Sequence, residues 1–305
     1  MERGLPARRW RAMMLVLHFR DSIVMSLSAD LKAVSKATET IIGPPFAWCA
    51  VPGGPVQLED TSHYESHPKG TAGGLYQVAS FALAKYPITN AQCQRFIEAA
   101  NGQSNNHWWT FSPEAAQWWQ DRPRPKPTAF SGANLPRTRV SWFDSMAFCA
   151  WLSSELQSRM GVNWEVTLDM HHVDTWCVYL PTEQEWQRAA VGDTGWSYPW
   201  GNDLDESRAN YGNQIGRATD VASYPQGQSP YGVMDMIGNL REWCCTAWGQ
   251  DSLDVPGYVY RAARGGAWNI ADPEYLRAID RAGLAPRGQL NDASFRCAYY
   301  FVDDK

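Results

Sequence analysis

The chain has 305 residues, of which 44% are apolar and 19% charged, so it can bury a core as one large domain or two modest ones, and extensive disorder is excluded. Its 27 Lys and Arg against 32 Asp and Glu give a net charge of -5, which argues against nucleic acid as a main partner because phosphate binding requires a basic surface. No apolar run reaches the length of about 18 residues that spans a membrane, so we expect no membrane partner and a cytoplasmic protein.

Residues 1–45 differ in residue pattern from the rest of the chain. Leu27, Leu31, Val34 and Ile41 recur at helical spacing before the Gly43-Pro44-Pro45 breaker, which predicts an N-terminal helical extension. Met25 is a second candidate start, and the sequence leaves open whether residues 1–24 are translated. The main domain is then residues 46–305.

Strand-like runs and capped helices alternate in the main domain. Strands are predicted over 47–52 and 76–88, and helices over 90–100 and 141–156. A third helix begins at Thr182, where Glu185 completes a capping box. Residues 101–137 contain no periodic segment and predict a long loop packed by its own Trp side chains.

Cysteine is odd in number and widely spread, which favours buried, reduced thiols over a disulfide framework. The seven are Cys49, Cys93, Cys149, Cys177, Cys244, Cys245 and Cys297.

Eight motifs in order along residues 46–301 resemble the landmarks of the formylglycine-generating-enzyme (sulfatase-modifying factor) family. Three of them are Leu180-Pro181-Thr182-Glu183-Gln184-Glu185-Trp186, Arg264-Gly265-Gly266-Ala267-Trp268 and Phe295-Arg296-Cys297-Ala298. A fourth spans 232–243 and ends in Gly238-Asn239-Leu240-Arg241-Glu242-Trp243, and the others lie at 51–54, 85–90, 140–144 and 198–202. The resemblance implies an α+β, C-type-lectin-like fold that is loop-rich, with a twisted antiparallel sheet and two main helices.

The resemblance also implies a structural calcium. Its ligands would be side-chain oxygens of Asp235 and Glu242 and backbone carbonyls of Gly238 and Leu240, the hard donors that calcium prefers. The residues allow a second interpretation with no metal, in which the apolar surroundings of Glu242 require an arginine partner, Arg264 or Arg296.

The family's oxidase chemistry uses two cysteines a few residues apart, just before the stretch matching Arg277-Ala278-Ile279-Asp280-Arg281. No cysteine lies between Cys245 and Cys297. Since Cu(I) requires soft thiolate ligands, we expect no copper and no catalytic residues of this kind.

The sequence gives weaker support to other kinds of catalytic site. An iron-dependent relative uses histidines from an added helical domain that is missing here, and His63, His67, His171 and His172 form no convincing ligand set. No Gly-x-Ser-x-Gly elbow supports a hydrolase triad.

The C-terminal stretch resembles that of the variable proteins of diversity-generating retroelements, in which scaffold residues alternate with asparagine codons rewritten at adenines. The scaffold positions of that pattern are present here: Arg264, Gly265, Gly266, Trp268, Asn269, Arg277, Ala278, Arg281, Pro286, Phe295 and Arg296. Between them lie residues reachable from an Asn codon by changes at its adenines alone, with Asn291 retained: Ile270, Ala271, Tyr275, Asp280, Ala282, Leu284, Gly288, Leu290, Asp292 and Ala293. Ordinary divergence is the alternative explanation.

These patterns predict a non-catalytic protein that presents residues 270–293 as a recognition surface for an unknown protein or other macromolecular ligand. The alternative is a divergent oxidoreductase of the formylglycine-generating family acting on a cysteine-containing polypeptide.

Overall fold

The computed structural model describes residues 27–63, 68–161, 178–249 and 258–300. The first described element is helix α1 (Leu27–Ile42), which confirms the N-terminal helix. Leu31 and Val34 of α1 are buried in the main core. The indole Nε1 of Trp48 donates to the hydroxyl of Thr38 over 3.0 Å, so the helix is packed onto the domain that follows it.

The strands form two four-stranded sheets and one hairpin. The first sheet has the order β1-β4-β10-β5 and is antiparallel throughout. The second has the order β8-β7-β6-β9, in which only β6 and β9 run parallel. The hairpin pairs β2 with β3. The strand bounds are β1 Trp48–Val51, β2 Gly54–Leu58, β3 Gly74–Val78, β4 Phe81–Ala84, β5 Val178–Tyr179, β6 Arg241–Ala247, β7 Arg261–Arg264, β8 Ala282–Leu284, β9 Ala293–Ser294 and β10 Ala298–Tyr299.

Four further helices are α2 (Asn90–Glu98), α3 (Pro113–Asp121), α4 (Trp142–Met160) and α5 (Glu183–Val191). Thr89, Ser141 and Thr182 cap α2, α4 and α5, each with a complete capping box. These reciprocal bonds satisfy backbone N–H groups that the first turn leaves free, so each helix begins directly after its capping residue. The predicted helix starts are therefore confirmed.

Three expectations about the elements need correction. Residues 101–137 are not a continuous loop, because they contain α3, which Ser112 caps and Pro113 begins, and the short 3₁₀ helix Asn106–Trp109. The described residues therefore have five α-helices in all. The run 76–88 divides into β3 and β4, and α4 continues beyond Leu156 to Met160 before Gly161 turns left-handed.

The core lies on both sides of the first sheet. Alternate residues of β4 point to opposite faces, so Ala82 and Ala84 join the cluster built on α4, while Phe81 and Leu83 join the cluster built on α5. The prediction of buried cysteines is confirmed for Cys93, Cys149, Cys244, Cys245 and Cys297; Cys49 is partly exposed, and Cys177 lies outside the described residues. Among the helices of the described ranges, none combines the length and apolarity needed to cross a bilayer.

Candidate functional site

Two glycines turn the chain where β7 ends. Gly265 and Gly266 have φ of +94° and +65°. A Cβ at Gly265 would lie 2.7 Å from the carbonyl oxygen of Met236, and one at Gly266 would lie 2.7 Å from Cδ2 of Leu276. Both positions therefore require glycine, and they direct the chain out of the sheet into the loop 267–281.

The two ends of this loop are held by one buried carboxylate. Glu183, the first residue of α5, accepts from Nε and Nη2 of Arg281 at 2.8 Å each and from Nη1 of Arg264 at 3.3 Å. Nη1 of Arg281 also donates to the carbonyls of Glu59 and Ala72 in the hairpin region. Because removal of one partner would leave a buried charge uncompensated, these contacts fix the loop ends strongly.

A second buried ion pair fixes the segment near its C-terminal end. Nη2 and Nε of Arg296 lie 2.5 and 2.6 Å from the two carboxylate oxygens of Glu242. The indole Nε1 of Trp186 donates to the same carboxylate at 2.8 Å. Arg296 also donates to the carbonyls of Ala84 and Met234. Helix α5, the first sheet and the second sheet therefore meet at this pair.

The residues predicted for the recognition surface differ in exposure. The exposed ones are Ala271, Tyr275 and Asn291, and the partly buried ones are Ile270, Asp280, Ala282, Leu284, Gly288, Leu290 and Asp292. The prediction that Ala293 belongs to the recognition surface is wrong, because this residue is only 1% exposed. It lies in β9, where it pairs with Arg241 of β6. It packs inside the fold and cannot contact a macromolecular ligand.

Residues 270–280 lie beside the segment 196–215. The amide of Gly212 donates to the carbonyl of Ile270, and the amide of Ala278 donates to that of Ser197, both at 2.7 Å. The two segments expose large apolar side chains: Trp196 at 39%, Ile215 at 47% and Tyr275 at 53%.

Sequence reasoning missed Trp196 and Ile215. The only signal near them was the aromatic turn Tyr198-Pro199-Trp200-Gly201-Asn202, and their position beside the loop depends on pairing between segments distant in sequence.

Residues 289–292 are anchored by an arginine that sequence reasoning also missed. The amide of Arg139 donates to the carbonyl of Leu290 at 2.9 Å, and its Nε donates to Oδ1 of Asn291 at 2.8 Å. Arg139 has a φ of +55°, a conformation that a non-glycine residue rarely adopts. Its contacts across the fold maintain that conformation.

Arg241 connects the two parts of the surface. It lies 3.7 Å from the carboxylate of Asp292, and its charge also acts on Asp280. Burial raises the pKa of Asp280 above its usual range, with nearby arginines opposing the shift. The surface therefore has two carboxylates, Asp280 and Asp292, each with arginines nearby, and apolar side chains at its margin.

Residues 42–300 match the model of the sulfatase-modifying factor enzyme 1-like domain. The chain belongs to this family. The fold is accordingly the C-type-lectin-like fold of formylglycine-generating enzymes, with antiparallel sheets and several helices, as the motifs predicted.

Relatives of this sulfatase-modifying factor-like chain include proteins that are named for different functions. The inactive Cα-formylglycine-generating enzyme 2 of Mus musculus is 29% identical over 72% of this chain and 75% of its own length. The serine/threonine-protein kinase pkn1 of Chlamydia caviae is 28% identical over 72% of this chain, but the match spans only 33% of that protein. Treponema denticola variable protein 1 has the same fold, with a TM-score of 0.55 and 20% identity over 85% of this chain and 96% of that one.

The loop 267–281, which corresponds to the copper-binding region of the family, contains no cysteine thiol. Residues Pro273–Leu276 form a 3₁₀ helix capped by Asp272, and no cysteine lies between Cys245 and Cys297. Burial raises the pKa of the Cys245 thiol well above its usual range, so this thiol is neutral near pH 7. The residues of the loop do not fit a Cu(I) site.

The candidate calcium ligands do not fit that metal either. Both carboxylate oxygens of Glu242 are engaged by Arg296, whose guanidinium already supplies a positive charge to this carboxylate. Asp235 accepts from the amide of Ala222 at 3.1 Å, and burial raises its pKa to about 6. Oδ1 of Asn210 is a buried acceptor with no donor, but calcium takes six or more oxygens. Of the two interpretations open from the sequence, the structure shows the arginine pairing, with Arg296 as the partner.

Within the described ranges, no group of three or more His, Cys, Asp or Glu is arranged to hold a metal ion. The candidate histidines His67, His171 and His172 lie outside those ranges, as does the part of the chain from 250 to 257.

Proposed function

We propose that this protein is a non-catalytic ligand-binding protein and that residues 270–292 form its recognition surface. The observation that carries the proposal is the way this segment is held. Arg264, Arg281 and Arg296 fix its backbone through buried carboxylates, while Tyr275 and Asn291 project into solvent. Because these buried ion pairs fix the backbone of the segment, its exposed side chains can vary without loss of the fold.

We further propose that the surface is diversified by a retroelement. Nine of the predicted positions in this surface carry residues reachable from an Asn codon through adenine changes, and none of the nine is Lys, Glu, Met, Trp or Gln. The shared fold with a variable protein of Treponema denticola supports this proposal. The ligand is then a protein or another macromolecule that contacts mixed aromatic, aliphatic and acidic side chains.

The proposal of diversification is tested in the DNA that flanks the gene. It predicts a near-copy of codons 264–297 that differs from the gene only at adenines of the copy, together with a reverse transcriptase gene. A flanking region with neither feature would contradict diversification and leave a binding surface of fixed sequence.

The proposal that the protein is not an oxidase is tested by oxygen uptake. We expect the purified protein, given Cu(I) and a cysteine-containing peptide, to consume no more dioxygen than copper and peptide alone. Copper-dependent turnover would contradict the proposal, because the loop 267–281 offers no thiolate to the metal.

A further inference from the structure

Residues 122–139 concentrate positive charge in a chain that is acidic overall. They contain Arg122, Arg124, Lys126, Arg137 and Arg139 and no Asp or Glu, which gives this stretch a net charge of +5. Because the whole chain has a net charge of -5, all its other residues together have a net charge of -10. The contrast indicates a surface that attracts a partner of opposite charge.

The basic segment, residues 122–127, is extended. Its cations alternate with prolines at 123, 125 and 127. Each proline fixes its own φ and disfavours the α conformation at the cation before it. The amides of Arg124 and Lys126 form no backbone hydrogen bond with any described residue, as is typical of a polyproline II helix. The prolines therefore hold the three cations of the segment in one extended conformation.

The fold anchors the basic segment through its backbone carbonyls. Nε2 of Gln103 donates to the carbonyl of Pro123 at 3.2 Å, and Nη2 of Arg137 donates to that of Lys126 at 2.6 Å. Residues three apart face the same way in a polyproline II helix, so both anchoring bonds lie on one side of the segment. A segment held in this way loses little conformational entropy when a partner binds.

The cations of the basic segment have no carboxylate partner. Arg122, Arg124 and Lys126 are exposed. The guanidinium of Arg122 lies 4.9 Å from the centre of the Trp118 ring. Across the described ranges, neither Arg124 nor Lys126 has a side-chain hydrogen bond or an ion pair. At a rise of about 3.1 Å per residue, the three cations span about 12 Å, the length of a short peptide.

We infer that the basic segment docks a short acidic segment of a partner protein, whose carboxylates pair with Arg122, Arg124 and Lys126. Charge-assisted hydrogen bonds to carboxylates suit these side chains. A large polyanion such as DNA or a membrane surface would also face the remainder of the chain, whose net charge of -10 repels it. A short acidic segment contacts the basic segment alone. The basic segment lies outside residues 270–292, so the inference does not depend on the recognition surface.

Fluorescence anisotropy with a labelled hexaglutamate peptide tests the inference on the full chain. We expect saturable binding at low ionic strength that weakens as salt is raised to about 0.15 M, because salt screens exposed charges. The uncharged match, hexaglutamine, should not bind. No saturable binding of hexaglutamate, or equal binding of the two peptides, would overturn the inference. Tighter binding of phosphatidylserine vesicles, or of an oligonucleotide of equal charge, would overturn the assignment to an acidic protein segment.

Substitution of two cations locates the binding site. Arg124→Gln with Lys126→Gln should weaken hexaglutamate binding by about tenfold, since two exposed ion pairs are lost. The melting temperature should not change, because the anchoring bonds use backbone carbonyls. Arg124→Lys with Lys126→Arg keeps both charges and should bind like the parent.

The matched control removes two exposed cations elsewhere. Lys32→Gln with Arg159→Gln changes one residue in α1 and one in α4, and it alters the net charge of the protein by the same amount. This variant should bind hexaglutamate like the parent. An equal loss of binding in the two Gln variants would show attraction to net charge alone and contradict the assignment to the basic segment.

Discussion

The pairing of Glu242 with Arg296 allows a quantitative test of how the recognition segment is held. Glu242→Gln preserves the size of the side chain and one acceptor for the indole of Trp186. It removes the charge from a carboxylate that makes two contacts of 2.5 and 2.6 Å with Arg296, both groups being fully buried. Loss of one member of a buried pair costs about 3–5 kcal/mol.

At roughly 2 °C per kcal/mol for a domain of this size, the melting temperature should fall by about 6–10 °C. Calorimetry or circular dichroism measures the fall, and urea unfolding checks the free energy. The double variant Glu242→Gln with Arg296→Met should recover part of the loss, because it no longer leaves a buried charge alone. Asp292→Asn is the matched control, since its contact with Arg241 is long, at 3.7 Å, and partly exposed; it should cost less than about 1 kcal/mol.

Melting temperatures also distinguish an ion pair at Glu242 from a calcium site at this residue. With an arginine as partner of Glu242, addition of a chelator should leave the melting temperature of the parent protein unchanged. A Glu242→Gln variant as stable as the parent would refute the reasoning, as would a chelator that lowers the melting temperature of the parent by several degrees and not that of the variant.

Two further predictions concern a buried carboxyl and a glycine. Because the pKa of Asp235 in the folded protein is about 6 against an ordinary 3.8, its carboxyl contributes stability at low pH that is lost, by up to about 3 kcal/mol, as pH rises from 4 through 6. Asp235→Asn keeps an acceptor for the amide of Ala222 and should flatten that part of the pH profile of urea unfolding; an unchanged profile would count against the raised pKa. Gly265→Ala should cost about 1–3 kcal/mol, because φ is +94° and the new Cβ would meet the carbonyl of Met236 at 2.7 Å. Gly195→Ala, with positive φ but open space, should cost less, and equal losses would exclude the steric contact as the cause.

Local signals predicted the helix starts because they act over three or four residues. Thr89, Ser141 and Thr182 each stand before a residue that completes the capping box. The helix α3 was missed although Ser112 and Pro113 carry the same kind of signal, because its Trp-rich sequence was interpreted as loop packing.

The candidate site depended on contacts that short-range patterns do not contain. The motif around Glu242 indicated a buried carboxylate, but it left two arginines and a cation as possible partners; only the fold brings Arg296 within 2.5 Å of it. The adenine pattern placed Ala293 on the surface, whereas its pairing in β9 buries it.

The central claim is that a fixed scaffold carries interchangeable side chains, and a comparison of two libraries tests it most directly. One library varies five recognition positions together through Asn codons randomised at their adenines: Ala271, Tyr275, Asp280, Leu290 and Asn291. The other varies four scaffold positions: Arg264, Trp268, Arg281 and Arg296. Protease resistance of the displayed proteins should match that of the parent for most members of the first library and for few members of the second. Equal loss of resistance in both libraries would contradict the claim.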